Sequence, residues 1–293
     1  MEQGPRQVLM FGLYGFSTIV NMLMIRGDLI LNTAALAMGG LTIGEGTWMT
    51  YLTVPTLVLC GLALVIYRVV FKRELAQVRL APSIREEVPP MTGREKLNLA
   101  LILAVVVLWA TESLHGVKGL YVVTVGTVLM FPLGMLRLKD FKSVNVKLLV
   151  FLTAAFSIGG VMKVSGAASI IFTRFTPLFP TSFGWGYVAL VALTAMALHM
   201  VLGSNITTMS VVVPGILSIG AGVSSPEVLL FIIYVAVCGH YLLPFHHVVM
   251  LLGEGKAYYS GSHMMRFGAV MTVVLFGTVL LVYLSWWKLL GLV

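Results

Sequence analysis

The sequence predicts an all-α integral membrane protein, a polytopic helical bundle with one re-entrant hairpin and two broken helices. Composition gives the first reason, because 59% of the 293 residues are hydrophobic, 10% are charged and the mean hydropathy is +0.99. So few polar groups cannot cover a soluble globule. The second reason is a series of apolar runs, which suffices for about seven crossings at ~20 residues each.

A short polar segment between two apolar arms predicts the hairpin at 187–219. The arms cover 187–201 and 209–219, and we expect each to be too short to cross a bilayer alone. The segment between them, the hairpin tip (203–208), reads Gly-Ser-Asn-Ile-Thr-Thr. Non-helical backbone is tolerated at membrane depth only where protein or a water-filled cavity surrounds it. The hairpin tip is therefore the predicted binding site.

Two further apolar runs are interrupted, which predicts two broken helices. The first run, 7–38, contains Asn21, Arg26, Gly27 and Asp28, and the second, 227–252, is broken near Pro244. Each is followed by one uninterrupted span, and the two runs begin on opposite sides of the membrane. This pattern is typical of the inverted repeats of secondary transporters. The first repeat is incomplete, because nothing before residue 7 matches the hairpin.

The predicted organisation has three parts. Residues 1–71 form the end of the first repeat, 72–96 form a cytoplasmic basic loop, and 97–293 form the second repeat. Besides the hairpin and the second broken helix, the second repeat is expected to contain spans at 97–113, 118–135, 148–175 and 267–290.

Basic residues predict the orientation. If the 72–96 loop is cytoplasmic, most of the 19 Lys and Arg residues lie on that side, as the positive-inside rule requires. The N-terminus is then cytoplasmic and the C-terminus faces outward, in a bacterial inner (plasma) membrane. The net charge of +8 therefore reports topology. Membrane lipid is the expected partner of these residues, and nucleic acid is not.

Several polar residues in apolar runs have more than one interpretation. Arg26 and Asp28 would cost at least ~2.5 kcal/mol each if unpaired in the bilayer. They form either a mutual ion pair, or an anion-binding group and a proton-coupling group. His246 and His247 follow Pro244 at the second interruption. They either contact a substrate or a coupling proton, or merely satisfy freed backbone groups.

Other residues favour structural roles. His199 and His240 are expected to make packing contacts between helices, and Lys163 is expected to be structural. Cys60 and Cys238 show no spacing typical of a disulfide framework or a metal site. An enzyme is not expected, because no nucleophile has a base beside it. No cofactor is expected other than a possible sodium ion.

Three motifs resemble one family. Ser204-Asn205-Ile206-Thr207-Thr208, followed by an apolar run and Pro214, resembles the Ser-Asn-Thr hairpin motif of the divalent anion/sodium symporters, which carry dicarboxylates, citrate and sulfate. The segment LLVFLTAAFSIGGVMKVSGAA at 148–168 is similar to that family's glycine-containing helix before the second hairpin. HYLLPF and HMMRFGAVM are spaced as in its last two helices. The resemblance covers most of the chain from residue 7.

The resemblance implies an elevator-type carrier in which hairpin tips and broken helices hold sodium and a carboxylate-bearing substrate. It places Ser204, Asn205 and Thr207 at the second hairpin tip. The complete set of expected substrate contacts is Ser204, Asn205, Thr207, His247 and Arg26. The expected sodium ligands are Ser204, Asn205 and His246. The proton-coupling candidates are Asp28, His246 and His247.

The sequence departs from the family pattern in several places. Ile206 stands where the family usually has Thr. Ile25-Arg26-Gly27-Asp28 and His247-Val248-Val249-Met250 replace the Thr-Pro-Pro-Asn elements of the two broken helices. The first hairpin is absent, so the chain resembles an N-terminally incomplete member.

Two functions follow as expectations. The first is secondary transport of a small anion, a di- or tricarboxylate, coupled to sodium or protons. The alternative is a truncated or split-carrier subunit without transport activity of its own. The expected protein partner is a second copy in a homodimer, or a companion subunit that supplies the missing first half.

Overall fold

The computed structural model describes residues 3–78, 89–144, 146, 149–150, 153–154, 157, 161 and 164–293. Within these ranges every regular element is helical, as the sequence predicts for an all-α polytopic membrane protein. The chain divides into two compact units, Met1–Leu80 with Val150–Val293, and Ala81–Leu149. The predicted second repeat, 97–293, thus includes residues of both compact units.

The first apolar run is interrupted where the sequence predicts. One helix spans Gln3–Val20 and the next spans Leu29–Gly39. The first break (21–28) lies between them and consists of two short 3-10 turns joined by Met24, whose backbone is extended at φ −146° and ψ 154°. The side-chain amide of Asn32 donates to three backbone carbonyl oxygens of the break at 3.0 to 3.2 Å. One side chain therefore replaces hydrogen bonds that a continuous helix would make.

The long helix Glu45–Val70 satisfies further backbone groups of the first break. Trp48 Nε1 donates to the Met22 carbonyl at 3.0 Å, and Thr53 Oγ1 donates to the Leu23 carbonyl at 2.7 Å. Unpaired carbonyls in an apolar surrounding are unfavourable, so these two bonds stabilise the broken geometry.

The predicted basic loop 72–96 is partly helical at both ends. Lys72–Ala76 forms a short helix, and the next helix, Gly93–Ala110, starts inside the predicted loop. It starts there because Thr92 and Glu95 form a capping box. Residues 79–88 of this loop lie outside the described residues.

The unit Ala81–Leu149 also contains the helices Glu112–His115 and Gly119–Met130 and a 3-10 turn at Leu138–Ser143. The predicted span 118–135 is thus α-helical over a shorter stretch. The predicted span 148–175 lies partly outside the described residues, as does Lys163. Its described helix is Ala167–Thr173.

The hairpin has the predicted helix–turn–helix form. Its first arm is the helix Trp185–Leu202 and its second arm is the helix Asn205–Ile219. The arms run antiparallel, because a Cβ built on Gly220, after the second arm, would lie 2.8 Å from Tyr187 Oη at the start of the first.

The second interrupted run consists of two helices and an intervening break. The central helix, Pro226–Cys238, is buried at every residue from Val228 onward. The second break (239–247) follows and contains a 3-10 turn at Pro244–His246, before the helix Val248–Gly255. A helix that is apolar and buried on all sides forms the core of its unit. Both hairpin arms pack against it.

The last predicted span is one continuous helical segment. It comprises an α-helix, Gly261–Thr278, a π-helical turn, Val279–Tyr283, and a terminal α-helix, Leu284–Leu289. The π turn places Tyr283 Oη 2.8 Å from Thr56 Oγ1 on the Glu45–Val70 helix.

Among the described residues, three helical segments are long and apolar enough to cross a membrane: Glu45–Val70, Trp185–Leu202 and Gly261–Leu289. The second of these is the first hairpin arm. It begins two residues before the predicted start and has 18 residues, so the expectation that it is too short for a crossing is wrong by length and composition. The re-entrant placement of the hairpin, and the number of crossings, stay predictions.

Candidate functional site

The hairpin tip contains polar side-chain groups that do not cap its second arm. Ser204 is the N-cap residue, with φ −141° and ψ 135°, yet within the described chain its side chain makes no capping hydrogen bond. Asn205 Oδ1 and Thr208 Oγ1 are buried and also lack a hydrogen-bond partner among the described residues. Leaving such an atom unsatisfied costs about 1–3 kcal/mol, so these two oxygens are candidate ligand contacts.

The hairpin tip lies against the second break. Gly203 has φ +71°, and a Cβ built on it would lie 2.9 Å from Phe245 Cδ2. The left-handed backbone therefore favours glycine, and a side chain at this position would also require the half-exposed Phe245 ring to move. One turn before the tip, the His199 ring lies 4.5 Å from that of His246, centroid to centroid. These contacts bring the tip and residues 245–247 into one site.

Backbone amides fix the tautomer of His246 and of His247. The N–H groups of Leu242 and Leu243 donate to His246 Nδ1 at 3.2 and 3.4 Å, and the N–H of Val249 donates to His247 Nδ1 at 3.2 Å. A neutral imidazole whose Nδ1 accepts a hydrogen bond carries its proton on Nε2. Both side chains therefore point an Nε2–H donor away from the backbone.

The two Nε2 atoms of this pair are buried, and neither has a hydrogen-bond partner in the part of the chain that the structure describes. The sequence left open whether these histidines satisfy backbone groups or contact a ligand, and the two roles use different ring nitrogens. Each ring satisfies freed backbone amides through Nδ1, and each keeps a donor for a further group through Nε2.

A third feature is the meeting of three histidines. His199, His240 and His246 are all buried, and each offers a ring nitrogen within 4.8 Å of those of the others. His240 Nδ1 lies 3.3 Å from His199 Nδ1, and His199 Nε2 donates to the His246 carbonyl at 3.3 Å. His199 and His240 do pack between elements as expected, but their convergence with His246 was not predicted.

Asp28 and Arg26 have different partners. Asp28 is the N-cap of the helix Leu29–Gly39, and its Oδ1 accepts from the Leu31 N–H at 3.1 Å. Arg26 Nη1 lies 3.1 Å from Glu45 Oε2. The mutual pair predicted for Arg26 and Asp28 is thus replaced by a pair with Glu45, whose other carboxylate oxygen accepts from the Ile25 N–H at 2.8 Å.

The first break is linked to the central helix and to the second break. Tyr234 Oη donates to Asn32 Oδ1 at 2.6 Å, so the amide that holds the first break is itself held by the central helix. The Asp28 carboxylate interacts electrostatically with His247. Asp28 therefore belongs to the surroundings of the site, whereas Arg26 is engaged with Glu45.

Among the sequence-predicted site residues, Ser204 and Asn205 follow Gly203, which meets Phe245, and His246 and His247 follow Phe245 in the second break. Thr207 is half-buried in the second arm, and its carbonyl accepts from Ser210 Oγ at 2.8 Å. Thr208 was not predicted as a site residue. Its spacing of three from Asn205 places both on one face of the helix, and that signal was available. No local signal joins His199 to His240, since 41 residues separate them.

A hairpin tip that meets a broken helix, with buried polar atoms at the junction, is an arrangement typical of secondary membrane transporters. The chain belongs to the sodium:sulfate symporter family, because the family model of the sodium:sulfate symporter transmembrane region matches residues 7–293. This membership confirms the resemblance seen in the hairpin motif, and it is membership of a transporter family rather than of an enzyme family. No curated protein matches the chain.

Proposed function

We propose that the chain carries a small multivalent oxyanion, a di- or tricarboxylate or sulfate, together with sodium, and binds it between the hairpin tip and the second break. Family membership supports the general class of sodium-coupled anion transport. The observation that carries the site is the pair of buried Nε2–H donors of His246 and His247 beside the uncapped tip.

The hydrogen-bond donors at this junction favour binding of an anion. Substrate oxygens accept from the Nε2–H groups of His246 and His247 and from the first amides of the second arm, which have no intrahelical partners. The N-terminal end of a helix also carries partial positive charge. All these donors are neutral groups, so the site binds an anion without a buried fixed charge in its absence. Because Arg26 pairs with Glu45, its predicted direct contact with substrate is disfavoured.

The oxygens suit sodium. A hard cation prefers oxygen ligands, and the side chains of Ser204, Asn205 and Thr208 supply them at the tip. His246 was also predicted as a sodium ligand. Its Nδ1 lone pair is occupied by two amides and its Nε2 carries a proton, so it has no lone pair for a cation. We therefore propose that Thr208 takes its place among the sodium ligands.

Proton coupling is a second candidate, favoured by the electrostatic interaction of Asp28 with His247. Proton uptake by His246 or His247 would require Nδ1 to release its backbone amides, which disfavours both as proton carriers. Asp28 stays the proton-coupling candidate in this proposal.

Transport by the purified chain tests the proposal. Reconstituted vesicles should accumulate labelled succinate, citrate or sulfate under an inward sodium gradient. Asn205→Ala removes one of the proposed sodium ligands, so it should reduce initial uptake at a limiting sodium concentration by about tenfold, which corresponds to ~1.4 kcal/mol. Ser218→Ala is the control, because Ser218 lies at an exposed position near the other end of the same arm and its Oγ already donates to the Gly215 carbonyl; this variant should transport normally.

Three outcomes separate the alternatives. Uptake that is driven by a proton gradient but not by a sodium gradient would show that the coupling ion is a proton. Equal loss of uptake in Ser218→Ala would show that Asn205→Ala reports folding rather than binding. Failure to accumulate any of the three anions under either gradient would overturn the carrier proposal and support the subunit without transport activity.

A further inference from the structure

We propose that His199, His240 and His246 form a binding site for a late first-row transition-metal ion, with zinc as the expected ion, that joins the first hairpin arm to the second break. The ring centroids lie 5.4 Å apart for His199 and His240, 4.5 Å for His199 and His246, and 5.7 Å for His240 and His246. All three side chains are buried. The site itself does not depend on the proposed transport function.

The best-defined pair of nitrogens has the spacing of two zinc ligands. His199 Nδ1 and His240 Nδ1 are 3.3 Å apart. In a tetrahedral zinc site with Zn–N bonds of about 2.0–2.1 Å, two nitrogens lie about 3.4 Å apart. His199 also donates its other ring N–H to the His246 carbonyl, which is the partner that metal-bound histidines usually have. Imidazole ligands without a carboxylate favour zinc, copper, nickel or cobalt over sodium, magnesium or calcium.

The hydrogen bonds of His199 and His240 show which ring nitrogens carry protons before and after the metal binds. His199 Nε2 faces a carbonyl and carries a proton, so His199 Nδ1 has a lone pair and the proton between the two rings resides on His240 Nδ1. When the metal binds, that proton moves to His240 Nε2, and both Nδ1 atoms become ligands. No net proton is released at this pair.

His246 couples the metal to the second break. Its unpartnered Nε2 can bind the metal only after its proton moves to Nδ1, which then releases the amides of Leu242 and Leu243. Those two hydrogen bonds are long, at 3.2 and 3.4 Å, and a metal–imidazole bond is stronger. Metal binding therefore removes the His246 donor from the proposed anion site, so the metal and the anion should weaken each other's binding equally.

Cobalt binding to the purified full-length chain tests the site. Titration with Co²⁺ in detergent should give a tetrahedral d–d absorption band that saturates at one ion per chain and is displaced by Zn²⁺. His199→Gln and His240→Gln should each weaken Co²⁺ binding by about a hundredfold or more. Loss of a residue that only hydrogen-bonds to a metal ligand already lowers metal affinity about 10–100-fold, and these variants lose a ligand itself. His263→Gln removes a buried histidine elsewhere and should bind Co²⁺ normally.

A measurement on the unmodified chain avoids dependence on the folding of variants. Its Cu²⁺ complex should show nitrogen couplings from at least two imidazoles by electron paramagnetic resonance. Absence of a saturable Co²⁺ band, fewer than two coupled nitrogens, or unchanged binding in both His199→Gln and His240→Gln would overturn the site. His247→Asn should bind Co²⁺ normally even if it loses the anion, so failure of the transport proposal and failure of the metal proposal are distinguishable.

Discussion

Replacement of Gly203 by alanine tests the claim that the hairpin tip is held against the second break. Two energetic costs add when Gly203 is replaced by alanine. The first is conformational, because Gly203 has φ +71° and an L-residue in the left-handed region costs about 1–2 kcal/mol. The second is steric, because the new Cβ would lie 2.9 Å from Phe245 Cδ2 and 3.0 Å from Phe245 Cε2, and overpacking of this kind typically costs about 1–3 kcal/mol.

A matched control separates the two effects. Gly116 also has φ +71°, but no atom lies within 4 Å of the position that its Cβ would take. Gly116→Ala should therefore show the conformational cost of about 1–2 kcal/mol alone, and Gly203→Ala a total of about 2–5 kcal/mol. The assay is thermal unfolding in detergent at one heating rate, with anion uptake measured on the same preparations.

The steric part has its own internal test. Adding Phe245→Ala to Gly203→Ala removes the atoms that the new Cβ meets, so the pair of substitutions should be less destabilising than the sum of the two single ones. If Gly203→Ala lowers the unfolding temperature no more than Gly116→Ala and leaves uptake unchanged, the tip does not depend on its contact with Phe245. The claim that this contact holds the tip against the second break would then be refuted.

Three further predictions concern the second break, the first break and the ion pair between Glu74 and Arg266. His247→Asn keeps a side-chain acceptor for the Val249 N–H but removes the Nε2–H donor, so the anion concentration for half-maximal uptake should rise about tenfold, whereas His263→Gln should leave it unchanged. Asn32→Ala removes the donor to three carbonyls and the acceptor of Tyr234, so it should destabilise the chain by about 2–4 kcal/mol in thermal unfolding, more than Asn98→Ala. The hydrogen bond from Arg266 lowers the pKa of Glu74 below its ordinary value, so the stabilisation from this pair is present above that ordinary pKa, about 4.3, and is lost as the pH falls through the lowered value. Unfolding temperatures measured down to pH 3 should therefore fall less steeply in Glu74→Gln, and an unchanged slope would contradict this account.

The helix interruptions were predictable from the sequence because they depend on local chemistry. Charged residues and glycine at Arg26, Gly27 and Asp28 cannot continue an apolar helix cheaply, and Pro244 removes a backbone donor. The same holds for the hairpin tip, where glycine precedes serine and asparagine. In each case the residues that end a helix are adjacent in the chain, so the pattern alone indicates the break.

Partners that are distant in the chain were not predictable in the same way. The sequence offered Asp28 as the nearest carboxylate to Arg26, but the folded chain supplies Glu45 from the following helix. His199 lies 47 residues from His246 and meets it only because the hairpin folds back against the second break. Such pairings depend on how helices pack, and periodicity within one segment contains no information about them.

The histidines of the second break show why a choice between a structural and a functional role can be misleading. A broken helix needs acceptors for the amides that lose their intrahelical partners, and it needs free polar groups if it is to bind a ligand. An imidazole has two nitrogens on opposite sides of one rigid ring, and in the neutral form one accepts while the other donates. At His246 and His247 the accepting nitrogen is used by the backbone, which fixes the donating nitrogen in place. The structural role therefore creates the functional one, and a substitution that keeps an acceptor for the backbone amide but places no donor at the Nε2 position, such as His247→Asn, separates them.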